Sequence, residues 1–230
     1  KLVSFGTRHT MSSTTDAKKG IGAARNWVLS KFRNYAKNSD GKMEVFLNNE
    51  TILPDGKRIN QATDLGNAIA ILHGTDPNDK RIFMIGGHLD SRVSDVMNNK
   101  DFAPGANDDG SGVGAVIESA RILSQSKFPA TIVFVAFSGE EQGLLGAKML
   151  AEKAKNENWQ LEALLNNDMI GNNLSSETNL INANQLRVFS EGLPQFDLDK
   201  KAQGIRNLGL ENDGEARQLA RYIKEIGERY

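Results

Sequence analysis

The chain contains no cysteine. That absence removes disulfide frameworks, thiolate zinc sites, catalytic cysteines and cysteine-held clusters from consideration. Histidine is scarce as well, with three in 230 residues, so any metal centre has to draw mainly on carboxylates. There is no excess of either charge: 28 Lys and Arg against 29 Asp and Glu leave a net charge of -1. Nothing in that balance draws the chain toward nucleic acid or an anionic membrane. No apolar run reaches the roughly 18 residues a bilayer span requires. Internal repeats and low-complexity segments are also missing. What is present is ordinary for a folded domain, 39% hydrophobic and 25% charged residues, and a chain of this length can bury one large core. A single domain over residues 1–230 is the expectation. The sequence opens on Lys1 with no visible signal peptide, as expected of a processed, cloned or cut N-terminus.

Periodicity predicts alternating strands and helices. A helix is expected from Asp16, as its cap, to about Tyr35, with Ile21, Ala24, Trp27, Val28 and Phe32 on one face. A short strand follows at Met43–Leu47, then a turn at Pro54-Asp55-Gly56. Buried strands are read at 67–72, 81–86 and 130–137, and the apolar run 81–86 suits a central position. The stretch from Asp108 to about Leu123 reads as glycine-rich at its start and helical after Val113, and helices are expected from Leu144 to about Ala154 and from Asp213, as its cap, to about Arg229. Shorter strands are read at 161–165 and 186–189, and residues 172–184 read as a polar surface loop. This alternation implies an α/β fold, a three-layer sandwich with a central, mostly parallel mixed sheet flanked by helices.

In such sheets ligands bind beyond the carboxyl ends of the strands. His88 and Asp90 follow the 81–86 strand, Glu140 and Glu141 follow 130–137, Asp168 follows 161–165, and Asp108 opens a helix. Crowded carboxylates repel one another unless something positive sits among them. Asp, Glu and His without thiolate suit a divalent metal such as zinc. His88 and Asp90, two apart, face the same side of an extended segment, so His88 could ligate while Asp90 orients its ring. Of the neighbours Glu140 and Glu141, one could hold metal while the other handles a water. Each residue also has a plain structural reading. His88 could be a satisfied buried histidine, and Asp108, taken singly, is better read as a helix cap. The glutamates could be acids at a helix N-terminus, and Asp168 alone says nothing. Their joint placement at strand ends is what argues for a site.

Other features carry less. His9 and His73 read as surface or loop histidines. Gly105, Gly110, Gly112 and Gly114 lack the Gly-Lys-Ser/Thr of a phosphate loop, and no Gly-x-Ser-x-Gly elbow occurs. The pairs Lys18-Lys19 and Lys200-Lys201 read as solvated charges.

Four ordered segments carry a family resemblance: Gly86–Ser91 (GGHLDS), Ala103–Gly112 (APGANDDGSG), Phe137–Gly146 (FSGEEQGLLG) and Asn167–Gly171 (NDMIG). Together they resemble the aminopeptidase Y and bacterial leucyl aminopeptidase family of two-zinc exopeptidases, most strongly from Asn67 to Gly171. Thr7-Arg8 and the last helix are weaker likenesses. The resemblance implies zinc held by His88 and Asp168, a second zinc held by Glu141, and Asp108 bridging both. It further implies Glu140 as general base, Asp90 orienting His88, and a cis peptide bond after Asp108. Peptide or protein N-termini would be the substrates, and a secreted or periplasmic location is implied. The family pattern also asks for a late histidine, in an Asp-His pair, on the same zinc as Glu141. No histidine follows His88 and the sequence stops at Tyr230, so a C-terminally incomplete chain is expected. Two alternatives stay open, a non-catalytic peptidase-like binding domain and a glutaminyl cyclase-like enzyme with one zinc.

Overall fold

The computed structural model describes residues 1–174, 179–190 and 214–230. They fall into two units, Lys1–Asn172 and Asn173–Tyr230. The first unit holds a five-stranded sheet of order β1-β2-β4-β3-β5. Its strands are β1 (Met43–Ile52), β2 (Thr63–Leu72), β3 (Arg81–His88), β4 (Thr131–Phe137) and β5 (Gln160–Asn166). The β1–β2 and β2–β4 pairings are antiparallel, whereas β4–β3 and β3–β5 are parallel. The sheet is thus mixed, as expected, with parallel pairing confined to the half formed by β4, β3 and β5.

Three helices cover this sheet: α1 (Gly20–Ala36), α2 (Gly110–Leu123) and α3 (Leu145–Asn156). Strand residues alternate between two faces, and the core divides accordingly. Ala68, Ala70, Leu72, Phe134 and Ala136 pack with Val28 and Phe32 of α1 and Val113 and Val116 of α2. Ile69, Ile71, Met84, Val133 and Val135 pack on the opposite face with Leu150 of α3. Small residues at 68, 70 and 136 let two helices approach one face closely, and β3, lying inside the sheet, is the interior strand its apolar run predicted.

The differences from expectation lie at element ends. Helix α1 starts at Gly20, because Asp16 accepts the N–H groups of Lys18 and Lys19 in a local turn. The helix N-terminus is satisfied by the Ser12 hydroxyl, which accepts from Ile21, and by the Ser13 carbonyl, which accepts from Gly22. Strand β1 runs on to Ile52 because β2 pairs with it residue by residue from Met43↔Leu72 to Ile52↔Thr63. Asp55 closes the intervening turn by accepting from Lys57, Arg58 and Ile59.

In the second unit, Leu174 and Ile181 form an isolated antiparallel bridge and α4 spans Glu215–Arg229. Helix α4 is capped by Gly214, while Asp213 lies outside the described residues, as do Lys200 and Lys201. Residues 186–189 form no strand: Leu186 and Phe189 are exposed, and none of the described residues pairs with them as a strand.

Candidate metal centre

Four segments converge at the carboxyl end of the parallel half of the sheet. Strand β3 ends on His88, β4 leads into the turn carrying Glu140 and Glu141, β5 leads to Asp168, and Asp108 precedes α2. One residue ties three of them together. Asp109, fully buried, accepts the backbone N–H groups of His88 at 2.9 Å, Gly112 at 2.9 Å and Met169 at 3.2 Å. Asp109 is therefore the cap of α2. The plain reading of Asp108 as a cap is corrected here, since the second of the two adjacent aspartates takes that work and leaves the first free. The peptide bond between Asp108 and Asp109 is cis, as the resemblance implied. Close approach is made possible by Gly112, where a Cβ would collide with the Asn167 carbonyl oxygen and with the Asp109 carboxylate.

His88, Asp108 and Asp168 each offer one ligand atom, and the three atoms lie within 4.8 Å of one another. His88 Nε2 is 2.9 Å from Asp108 Oδ1 and 4.0 Å from Glu140 Oε2. The other ring nitrogen, Nδ1, is 3.2 Å from the Asp90 carbonyl oxygen and 3.8 Å from Asp90 Oδ1. Asp90 is fully buried and fully engaged: its carboxylate accepts from Thr10 Oγ1, from Glu140 N and from Glu141 N. It thereby fixes both the histidine ring and the turn bearing the two glutamates.

Glu141 sits apart from this trio. Its Oε2 accepts from Arg92 Nε at 2.6 Å, and its backbone carbonyl accepts from Arg58. The adjacent glutamates diverge, Glu140 toward His88 and Glu141 toward Arg92, so Glu141, the implied holder of a second zinc, is not brought into the trio.

The electrostatics of the cluster favour a cation. Burial pulls the His88 imidazolium down, but Asp90, Asp109 and Glu140 outweigh it and push the group up to about 10. Burial acts to raise Asp90, yet His88 and the N–H groups of Glu140 and Glu141 hold it below the usual carboxylate range. Asp109 is pushed up to about 6 by burial, against its bonds from His88 and Gly112. Glu140 is raised by burial and by Asp90, Glu141 and Asp168, with His88 opposing. An excess of carboxylates around one imidazole, all oxygen and nitrogen donors, fits a divalent ion such as zinc.

Some contributors are not visible in the motifs. Arg8 and His9 are buried, at 0% and 1% exposure; His9 is a loop histidine, as one of its two readings had it, but not a surface one. Its ring lies against Gln142 Nε2 and the Val96 carbonyl, and its Nδ1 accepts from Met11 N. His73 is exposed and 3.5 Å from Glu44. Arg8, Thr10 and Arg92 carry no periodic signal; the Thr7-Arg8 likeness was the sole pointer to the first.

The described residues thus form an α/β fold with a histidine–carboxylate cluster, a candidate metal site, at the ends of its parallel strands. Residues 67–194 match peptidase family M28. A probable zinc metalloprotease of Pyricularia oryzae is 43% identical over 228 residues, covering 99% of this chain and 45% of that protein. One from Pyrenophora tritici-repentis is 44% identical over 227 residues, covering 98% of this chain and 52% of its own length. The chain belongs to peptidase family M28, and it spans about half the length of these curated relatives. Among solved structures, a Zn-dependent exopeptidase from Parabacteroides distasonis aligns with a TM-score of 0.58 at 22% identity, over 76% of this chain and 60% of that one. A glutaminyl cyclase of Porphyromonas gingivalis also gives 0.58 at 22% identity, over 74% and 58%. These two likenesses show a shared fold.

Proposed function

We propose that the protein is a zinc metallopeptidase, and specifically an aminopeptidase that releases residues from peptide N-termini. The observation that carries this reading is the meeting of His88, Asp108 and Asp168 within one ligand-sized space, with the Glu140 carboxylate at its edge. Those three residues would hold the ion, which when bound would supply Lewis acidity to a water and to the scissile carbonyl. Glu140 is the general base. Its raised affinity for protons suits a carboxylate that takes a proton from water and hands it to the leaving amine. Asp90 holds the His88 ring and, through the N–H of Glu140, the base itself. Glu141 and Asp108 would hold a second zinc, for which the Glu141 carboxylate would have to share or leave Arg92. A secreted or periplasmic location belongs to the same reading.

In the intact protein, Glu140→Gln is expected to lower hydrolysis of amino-acid p-nitroanilides by about 10²–10⁴-fold while bound zinc, measured by plasma mass spectrometry, stays unchanged. Undiminished turnover would remove Glu140 from the base role. No chelator-sensitive hydrolysis by the unaltered protein, across a panel of N-terminal residues, would favour the non-catalytic alternative.

The Arg92–Glu141 pairing favours a second reading, a single-zinc enzyme acting like a glutaminyl cyclase. There the α-amine of an N-terminal glutamine attacks its own side-chain amide and ammonia leaves. Ammonia release from Gln-initiated peptides, with one zinc per chain and no p-nitroaniline release, would support it over the peptidase.

A further inference from the structure

Arg8 is the largest fully buried side chain among the described residues. A buried guanidinium ordinarily needs a carboxylate partner, yet no described ion pair includes Arg8. Its donors go to backbone carbonyls on two separate segments. Nε donates to Leu89 at 2.7 Å, NH1 to Pro104 at 2.7 Å and NH2 to Gly105 at 2.9 Å. Leu89 directly follows His88, and Gly105 stands three residues before Asp108. The Gly105 carbonyl also accepts from Gly110 N at the start of α2, and a Cβ at Gly105 would press on the guanidinium itself. The main chain of Arg8 repeats the tie. Its N–H donates to Ser91 Oγ, which donates in turn to the Ala103 carbonyl. The residue two further on, Thr10, donates to Asp90.

We infer that Arg8 is a positioning residue for the metal centre: its planar fork fixes the His88 segment and the Asp108 segment at ligand spacing. Arginine suits this because a rigid fork can serve carbonyls in two chains at once, whereas a lysine ammonium is a single point donor. The charge is held in the interior by acids it does not touch: burial lowers its proton affinity while Asp90, Asp109 and Asp108 counter that. The inference rests on the metal-centre reading above.

The test is zinc affinity of the intact protein, by competition with a chromophoric chelator, for the unaltered protein, Arg8→Lys, Arg8→Met and Val28→Ala. Val28 is a buried α1 residue far from the ligands in sequence and reports general loosening. Both Arg8 variants are expected to bind zinc at least about tenfold more weakly, in the range seen when partners of metal ligands are removed, with Val28→Ala unchanged. Unaltered affinity in folded Arg8→Lys would show that charge alone suffices and overturn the inference, as would an equal loss in Val28→Ala. If the Arg8 variants do not fold, Ser91→Ala decides: it deletes one hydroxyl of the tie and is expected to weaken zinc several-fold, and unchanged affinity overturns the inference. Absence of zinc binding by the unaltered protein would instead overturn the metal-centre reading itself, and this inference with it.

Discussion

At His88 burial and charge act in opposite directions. Burial disfavours the imidazolium, the surrounding acids favour it, and the acids prevail, pushing the group up to about 10. In the metal-free protein that charge stabilises the fold fully below the ordinary value of 6.5, and the contribution is lost as pH rises through about 10. On the proposed ligation by His88, zinc requires the neutral ring, so binding would displace a proton. Zinc affinity should therefore rise with pH between about 6 and 9, by up to tenfold per unit for one proton released. Calorimetry in buffers of different ionisation enthalpy would count that proton, and a pH-independent affinity would show that His88 is already neutral or is not a ligand. The adjacent pairs Asp108-Asp109 and Glu140-Glu141 carry the lesson of this scale. Their chemistry was legible as carboxylate from the residues themselves, but which member faces the cluster came only from the family resemblance, which named Asp108 and both glutamates. That choice depends on a backbone turn and on the N–H groups of His88, Gly112 and Met169 waiting behind Asp109.

Among the elements of the first unit, β2 and β4 were legible as short apolar runs buried on both faces, and α1 and α2 by an apolar face of period near 3.6. Their ends were less legible. Asp16 looks like a cap, yet it closes a turn before the helix. Helix α2 depends on Asp109 for its cap and for its attachment to β3 and the segment after β5. Replacing Asp109 by Ala removes the cap, at about 1 kcal/mol, and strands the buried His88 N–H, at about 1–3 kcal/mol. Urea unfolding should show a total loss of about 2–4 kcal/mol, and Asp109→Asn, which retains an acceptor oxygen, should lose less. An effect below about 0.5 kcal/mol, the range of ordinary surface changes, would mean that the knot at Asp109 carries little stability. Residues 186–189 have strand-like composition and no strand, because a β-strand needs a neighbour to receive its backbone hydrogen bonds, and none of the described residues supplies one.

For the whole molecule, ligand binding and folding are linked. An ion that binds only the folded chain stabilises it by about 2.7 kcal/mol at a free concentration one hundred times Kd. Zinc should therefore raise the unfolding temperature, EDTA should reverse the rise, and His88→Ala should abolish it. A zinc shift that survives His88→Ala would place the stabilising ion elsewhere. The sequence by itself determined the α/β class, the order of most elements and the donor chemistry, because periodicity and side-chain type are local properties. With no cysteine and one histidine at a strand end, oxygen-rich ligation was the sole metal chemistry open to it. The tertiary structure decided what proximity alone can decide. It brought His88, Asp108 and Asp168 into one space, set Glu141 against Arg92, and assigned the cap to Asp109. It also buried Arg8 against carbonyls 81 to 97 residues away. Contacts over such separations leave no period in the sequence; they exist only once the sheet has set the strand ends side by side.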